Sequence, residues 1–319
     1  MADTLSLAYL GAGPFALPPL RALFASPHEV VAVVTQPDRA APGRRRHVNP
    51  VKEAAVEAGV PVFQPERIAD EIAAIAATRP DVLVTASYGQ YLGPAVRGAA
   101  PQGAINLHGS LLPRYRGAAP VQHTVWNRDV RTGVTAFQIG RGMDTGPILG
   151  VVETDVQPQE TYGELLDRLA ELAGPLAIDV CAAIAGGRVT PRPQDDSLAT
   201  DAPKLTKDDG LIDWSQRPER VQGQVLATQP WPKPTTFWHR QPDESTLPNP
   251  ARLGIVRVVP ADGHGEPGEV IDTNKQIVVA TGDGAVRVDR IQLAGKPPMR
   301  ADAFLNGYPL RVGDRFAAS

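Results

Sequence analysis

Leu5-Ser6-Leu7-Ala8-Tyr9-Leu10 runs straight into Gly11-Ala12-Gly13-Pro14. A short apolar run closed by glycines reads as a buried strand followed by a tight turn. Pro14 suits the first position of a helix, where its missing N–H leaves no hydrogen bond unmade. The pattern predicts that helix over Phe15–Phe24. Moving outward, the alternation repeats. Strands are expected at Val30–Thr35, Asp81–Ala86 and Gly103–His108, and helices at Pro50–Ala58 and Glu66–Thr78. Buried strands alternating with helices imply an α/β class with a parallel, doubly wound sheet. Thr132–Gln138 and Ile148–Glu153 add strands. Thr161–Ala185 carries Leu165, Leu166, Leu169, Leu172, Leu176, Val180 and Ile184 at helical spacing, which marks a core-facing stripe.

The texture changes at Gly186, where Gly, Pro, Asp and Thr follow without periodicity. The expected division is a first domain over 1–189, a linker over 190–209 and a second domain over 210–319. Beyond the linker come a helix at Pro218–Ala227 and short strands at Thr235–Trp238, Ala251–Val259, Gly268–Asp272, Gln276–Ala280 and Ala285–Gln292. Asp262-Gly263, Thr281-Gly282 and Asp283-Gly284 supply the turns between them. Short strands separated by glycine turns predict a small β-barrel of the OB-like kind.

The length of 319 residues agrees with two domains. Lys plus Arg total 32 against 35 for Asp plus Glu, a net charge of −3. That balance excludes a chain that coats nucleic acid by overall basicity, though not a local basic site. Hydrophobic residues at 42% and charged residues at 21% exclude disorder throughout. The one cysteine, Cys181, lies within an apolar helix and reads as core. It makes neither an internal disulfide nor a paired-cysteine metal box. No run approaches the roughly 18 apolar residues of a membrane span, and the first residues carry no basic leader pattern. A cytoplasmic enzyme with neither a metal nor a membrane partner is expected.

Four stretches offer chemistry. Gly11-Ala12-Gly13-Pro14-Phe15-Ala16 fits a dinucleotide fingerprint, but the acid that should close the second strand is displaced to Asp38; a plain strand-to-helix turn explains it as well. Asp38–His47 holds four arginines, Arg39, Arg44, Arg45 and Arg46, and is either a solvated loop or an arm that grips phosphates. In Asn106-Leu107-His108, strand alternation puts the amide and the imidazole on one face, at the end that faces the ligand crevice of an open α/β sheet. That pair is either a satisfied polar pair or an oxyanion-stabilising site. Asp144, in Gly142-Met143-Asp144-Thr145-Gly146, reads equally as a turn former and as the carboxylate that orients His108; a separation of 36 positions decides nothing. His28, His47, His123, His239 and His264 have no paired partners in the sequence and read as structural or exposed.

Asn106-Leu107-His108-Gly109-Ser110-Leu111-Leu112-Pro113-Arg114-Tyr115-Arg116-Gly117, with Met143-Asp144-Thr145-Gly146, resembles the signature of the formyltransferases that use 10-formyltetrahydrofolate. Thr35-Gln36-Pro37-Asp38-Arg39, Val62-Phe63-Gln64-Pro65, Ile212-Asp213-Trp214-Ser215 and Pro230-Trp231-Pro232 extend the likeness over nearly the whole chain. They resemble the branch whose acceptor is the methionine amine on initiator tRNA. The resemblance implies a Rossmann-like catalytic domain followed by an OB-like domain that helps hold tRNA. It implies Asn106, His108 and Asp144 as the catalytic trio; the chemistry expected of them is that Asn106 and a protonated His108 donate to the formyl oxygen while Asp144 orients His108 and helps a water take the amine proton. It implies Ser110, Leu111, Leu112 and Pro113 as the tetrahydrofolate loop, Arg44, Arg45 and Arg46 as the tRNA-gripping insertion, and a monomer. The first turn departs from the family's usual Gly-Thr-Pro-Asp-Phe, since Gly11-Ala12-Gly13-Pro14-Phe15 displaces the proline and lacks the acid.

Overall fold

The computed structural model describes residues 4–38, 49–241 and 247–319. The chain divides into two compact units. One draws on Met1–Pro120, Arg131–Asp155 and Leu165–Ala202; the other draws on Val121–Val130, Val156–Glu164 and Pro203–Ser319. No described helix is long and apolar enough to cross a membrane. The helices before the barrel are α1 (Leu17–Phe24), α2 (Pro50–Glu57), α3 (Ile72–Ala77), α4 (Pro94–Arg97), α5 (Pro120–Trp126) and α6 (Tyr162–Ala185).

The first unit is built on a sheet of seven strands: β1 (Ser6–Gly11), β2 (Glu29–Val34), β3 (Val62–Phe63), β4 (Val82–Ala86), β5 (Ala104–His108), β6 (Arg131–Gln138) and β7 (Ile148–Asp155). Their spatial order is β3-β2-β1-β4-β5-β6-β7. The first five are parallel, as the alternation of strands and helices predicts. β6 and β7 run antiparallel to their neighbours. The chain winds outward from β1 to β3, then resumes at β4 on the other side of β1. That reversal makes a topological switch point, the place where open α/β sheets bind their ligands at the carboxyl ends of the strands. β1 and β4 are buried almost throughout, and burying each of their leucines and valines contributes about 1.5–3 kcal/mol.

Local chemistry sets the helix starts. Asn49 accepts from the backbone N–H groups of Val51 and Lys52, and Pro50 fills the first helical position of α2. Such a cap contributes about 1 kcal/mol. The helix expected at Glu66–Thr78 is shorter in the fold: a 3-10 turn at Ile68–Glu71 leads into α3. Arg67 stays extended, and the Ile68 N–H donates to the Gln90 side chain at 2.8 Å. The helix expected at Phe15–Phe24 likewise starts with a 3-10 turn, Pro14–Ala16.

Part of the stretch expected as a linker is tied into this unit. Arg192 exchanges two hydrogen bonds with Ile148, at 2.8 and 2.9 Å. Thr200 and Ala202 bond the backbone of Arg116 on either side, at 2.8 and 2.7 Å. These contacts use backbone groups, which need no hydrophobic period and so leave no trace in the sequence pattern.

The second unit is a barrel. Its strands are β8 (Thr235–His239), β9 (Ala251–Ala261), β10 (Val270–Asp272), β11 (Ile277–Ala280), β12 (Ala285–Leu293), β13 (Met299–Arg300) and β14 (Arg315–Ala317), with helices α7 (Pro218–Ala227) and α8 (Ala301–Gly307). The antiparallel order is β10-β11-β12-β9-β8-β14, with β13 on β12. The sheet closes on itself where Phe316 N–H donates to Gly268 and Val270 N–H donates to Asp314, at 2.7 and 2.8 Å. Trp238, Ile255, Val279, Val288, Ile291 and Phe316 fill the interior together with Val221 and Val225 of α7. Trp238 is fully buried, and its indole N–H is satisfied by Asp314 at 2.9 Å.

Candidate active site

β5 presents Asn106 and His108 from one face, while Ile105 and Leu107 are buried on the other. Their surroundings fix the polarity of both side chains. The buried Thr85 hydroxyl, on the neighbouring strand β4, donates to Asn106 Oδ1 at 2.7 Å. That leaves the two Nδ2 hydrogens of Asn106 to donate elsewhere. His108 Nε2–H donates to the Tyr115 carbonyl at 2.9 Å. The ring nitrogen left over is Nδ1, which faces Asp144 Oδ2 at 3.7 Å. Phe137 of β6 stands edge-on to the imidazole, with centroids 6.3 Å apart and planes at 81°.

Asp144 comes from the loop between β6 and β7 and sits in the left-handed region at φ 53°. Its Oδ2 accepts the Gly117 N–H at 2.8 Å. The loop folds tightly because Gly146 has no side chain: a Cβ there would lie 1.7 Å from the Gln138 carbonyl oxygen. The third member of the pattern therefore reaches His108, and the orienting alternative for Asp144 gains a geometric basis.

His108 is 5% exposed. Burial lowers its pKa below the ordinary imidazole value, while the Asp144 charge and the Tyr115 carbonyl act in the opposite sense. The net direction is downward, which favours the neutral ring with a lone pair at Nδ1. The physical reason is desolvation, which a one-dimensional motif does not reveal. A proton that reaches Nδ1 turns the 3.7 Å separation into an attractive imidazolium–carboxylate pair.

The segment expected to contact folate divides in two. Ser110 is fully buried and donates its hydroxyl to the Arg114 carbonyl at 2.7 Å. Leu112 is buried against Phe137 and Ile148. Leu111 and Pro113 are half-buried. Thr135 anchors the segment: its hydroxyl donates to the Ser110 carbonyl at 2.7 Å and accepts the Leu112 N–H at 3.1 Å. Arg44, Arg45 and Arg46 lie outside the described residues. Among the described residues no group of three His, Cys, Asp or Glu is placed to hold a metal ion. Cys181 is buried, and burial pushes its thiol up to about 12.

Sequence reading missed Thr85, Tyr115, Gly117 and Gln194. The first orients Asn106 through its hydroxyl, which a lone polar residue in the apolar strand β4 could have flagged; the second gives the site its carbonyl and the third its N–H, backbone roles that leave no signal in residue type.

An aimed amide donor beside a neutral, buried base with a carboxylate behind it is the equipment of an enzyme that moves an acyl group. The fold places this equipment at the carboxyl end of a doubly wound sheet. Residues 8–181 match the family described as formyl transferase, and residues 204–309 match the formyl transferase C-terminal domain. The chain belongs to the formyl transferase family. It is 40% identical over 311 residues to "Methionyl-tRNA formyltransferase" of Magnetococcus marinus, covering 96% of each chain. It is 44% identical over 299 residues to the protein of the same name from Pseudomonas fluorescens, covering 92% of this chain and 91% of that one. Among solved structures, an N-formyltransferase from Helicobacter canadensis in complex with folinic acid and dTDP-3-aminofucose shares the fold. Its TM-score is 0.64 at 14% identity, covering 92% of this chain and 100% of that one. HypX from Aquifex aeolicus in complex with tetrahydrofolic acid matches with a TM-score of 0.59 at 14% identity, over 97% of this chain and 48% of that one.

Proposed function

We propose that the chain transfers the formyl group of 10-formyltetrahydrofolate to the amino group of methionine carried on initiator tRNA, acting as a cytoplasmic monomer. The near-full-length likeness to proteins named for that reaction supports the substrates. The observation that carries the chemistry is the fixed polarity of the site: Asn106 has donors to spare, and His108 has a lone pair to spare.

The methionine nitrogen attacks the formyl carbon, and a new C–N bond forms. Charge grows on the formyl oxygen, where Asn106 Nδ2–H donates. The attacking nitrogen gives up a proton to His108 Nδ1, and Asp144 stabilises the imidazolium across the 3.7 Å gap. Collapse breaks the bond between the formyl carbon and the folate nitrogen, which takes the proton back from His108. Atoms and electrons balance without an oxidant or reductant. Leu111 and Pro113 offer apolar surface to the folate, while Ser110 and Leu112 hold that segment in shape. The chemistry falls to 1–189 and the holding of tRNA to Arg44, Arg45, Arg46 and the barrel domain over 210–319, with 190–209 joining them.

The test is to incubate the protein with 10-formyltetrahydrofolate and charged initiator or elongator tRNA, following formyl-methionine. Formylation of the initiator species is expected, and its absence sinks the proposal. Replacing Arg44, Arg45 and Arg46 with Ala should raise the tRNA concentration needed and leave folate binding unchanged. Each lost phosphate contact should also flatten the salt dependence by a slope of about 0.7 to 0.9. An unchanged salt slope returns these arginines to the class of solvated surface charge.

A further inference from the structure

Among the described residues two side chains hold the backbone of the Asp144 loop from outside it: Arg97 donates to the Gly140 carbonyl at 2.7 Å, and Gln194 acts at Asp144 itself. Its Nε2 donates to the carbonyl of Asp144 at 2.7 Å and to the carbonyl of Gly146 at 2.8 Å. Its Oε1 accepts from Nε and one terminal nitrogen of Arg116, at 3.1 and 2.8 Å. That same terminal nitrogen donates to Asp196 at 2.6 Å. The Arg116 side chain is only 12% exposed. Because guanidinium offers donors alone, the oxygen of Gln194 must turn toward Arg116 and its nitrogen must turn toward the two carbonyls. No flipped arrangement satisfies both sides.

The chain then closes a circuit. Arg116 is followed by Gly117, and the Gly117 N–H is the donor that holds the Asp144 carboxylate. Asp144 is thus gripped at its side chain by Gly117 and at its carbonyl by Gln194. Both grips trace back to the Arg116 segment, which the backbone of Thr200 and Ala202 pins on either side. A left-handed φ at a non-glycine residue carries a cost and persists where its surroundings over-determine it. Here the surroundings are Gln194 and Gly117.

We propose that Gln194, held by Arg116, is a positioning residue for the reaction: it sets the Asp144 loop so that the carboxylate bears on His108 Nδ1. The proposal rests on the reading of His108 and Asp144 as a catalytic pair. Neither Gln194 nor Arg116 supplies a group to the reacting atoms; both act through Asp144.

The test is a double-mutant cycle with Asp144→Asn. Gln194→Met keeps length and shape, removes both hydrogen-bonding ends and adds no charge. On its own it should lower kcat about tenfold, with KM for folate and tRNA changed less than about twofold. In the Asp144→Asn background the same change should lower kcat by less than about twofold, because its route to the chemistry is already cut. A full tenfold further loss in that background overturns the proposal, as does a loss carried by KM. Arg116→Lys retains charge for Asp196 but loses the fork, so it should give a smaller loss with the same non-additivity. It serves as the second arm should Gln194→Met not fold.

A separate readout does not depend on the substrate reading. In the ligand-free protein, followed by NMR, Gln194→Met should move the His108 titration to lower pH, since the carboxylate that favours the imidazolium swings away. An unchanged titration overturns the clamp. A wild-type protein that fails to formylate methionyl-tRNA would remove the proposed function and leave this measurement intact.

Discussion

Two strand ends at the carboxyl edge of the same sheet look alike in sequence and differ in what they are for. After β1 comes Gly11-Ala12-Gly13-Pro14, and after β5 comes Gly109-Ser110-Leu111-Leu112-Pro113. At β1 the glycine is used up by packing. A Cβ on Gly11 would lie 2.6 Å from the Tyr9 ring and 2.8 Å from the Ala16 side chain. The Tyr9 hydroxyl is fully buried and donates to the Ala16 carbonyl at 2.6 Å. Gly13 adopts φ 73° to turn the chain, a conformation cheap for glycine. Packing and the Tyr9 hydrogen bond give this turn a full structural account. At β5 the polar side chains are held by neighbours and keep capacity for a ligand, the Nδ2 donors of Asn106 and the Nδ1 lone pair of His108. The lesson is that glycine spacing marks a tight turn, whereas polar groups buried with capacity left over mark a site.

The sharpest way to break the comparison is at β5. Asn106→Ala or His108→Ala should each lower kcat by about 100- to 1,000-fold while circular dichroism shows the fold retained. Near wild-type turnover in a folded variant would move the chemistry elsewhere. Asp144→Asn keeps the shape and loses the charge, so a fall in kcat of about 100-fold is expected in steady-state assays. It also tests the electrostatics. Burial keeps His108 neutral below the ordinary imidazole range, and Asp144 opposes that shift. Removing the charge should therefore send the His108 titration to still lower pH by NMR; movement to higher pH would mean that the carboxylate does not act on the ring.

At β1 the expected effects are on stability instead. Gly11→Ala overfills the contact with Tyr9 and Ala16 and should cost about 1–3 kcal/mol in urea unfolding, with kcat per folded molecule unchanged. A loss of folate binding in this variant would show that the turn is a ligand loop after all. Tyr9→Phe removes the buried hydrogen bond to the Ala16 carbonyl and should cost about 1 kcal/mol, again without effect on turnover.

Much of the sheet was legible because buried parallel strands are continuous apolar runs, as in Leu7–Leu10 and Val82–Val84. The antiparallel direction of β6 and β7 was not, since alternation reports burial and not direction. α4, α5 and α8 were missed because they are short, with four, seven and seven residues. The ties within 190–209 were not legible because they run through backbone groups at Arg192 and Ala202 and through the polar side chain of Gln194, none of which needs a hydrophobic period.

The sequence by itself determined the strand that carries the site. A period of two puts Asn106 and His108 on one face whatever surrounds them, and the likeness to formyltransferases rests on that segment. Tertiary structure alone decided the rest. Asp144 meets His108 because the chain returns along β6, and Gln194, 50 positions beyond Asp144, closes on the loop's carbonyls. Which nitrogen of His108 is free depends on the Tyr115 carbonyl, and whether the ring is neutral depends on its burial. The physical reason is that a side chain's chemical type is local, but its hydrogen-bond polarity and charge state are set by neighbours that only the fold brings near.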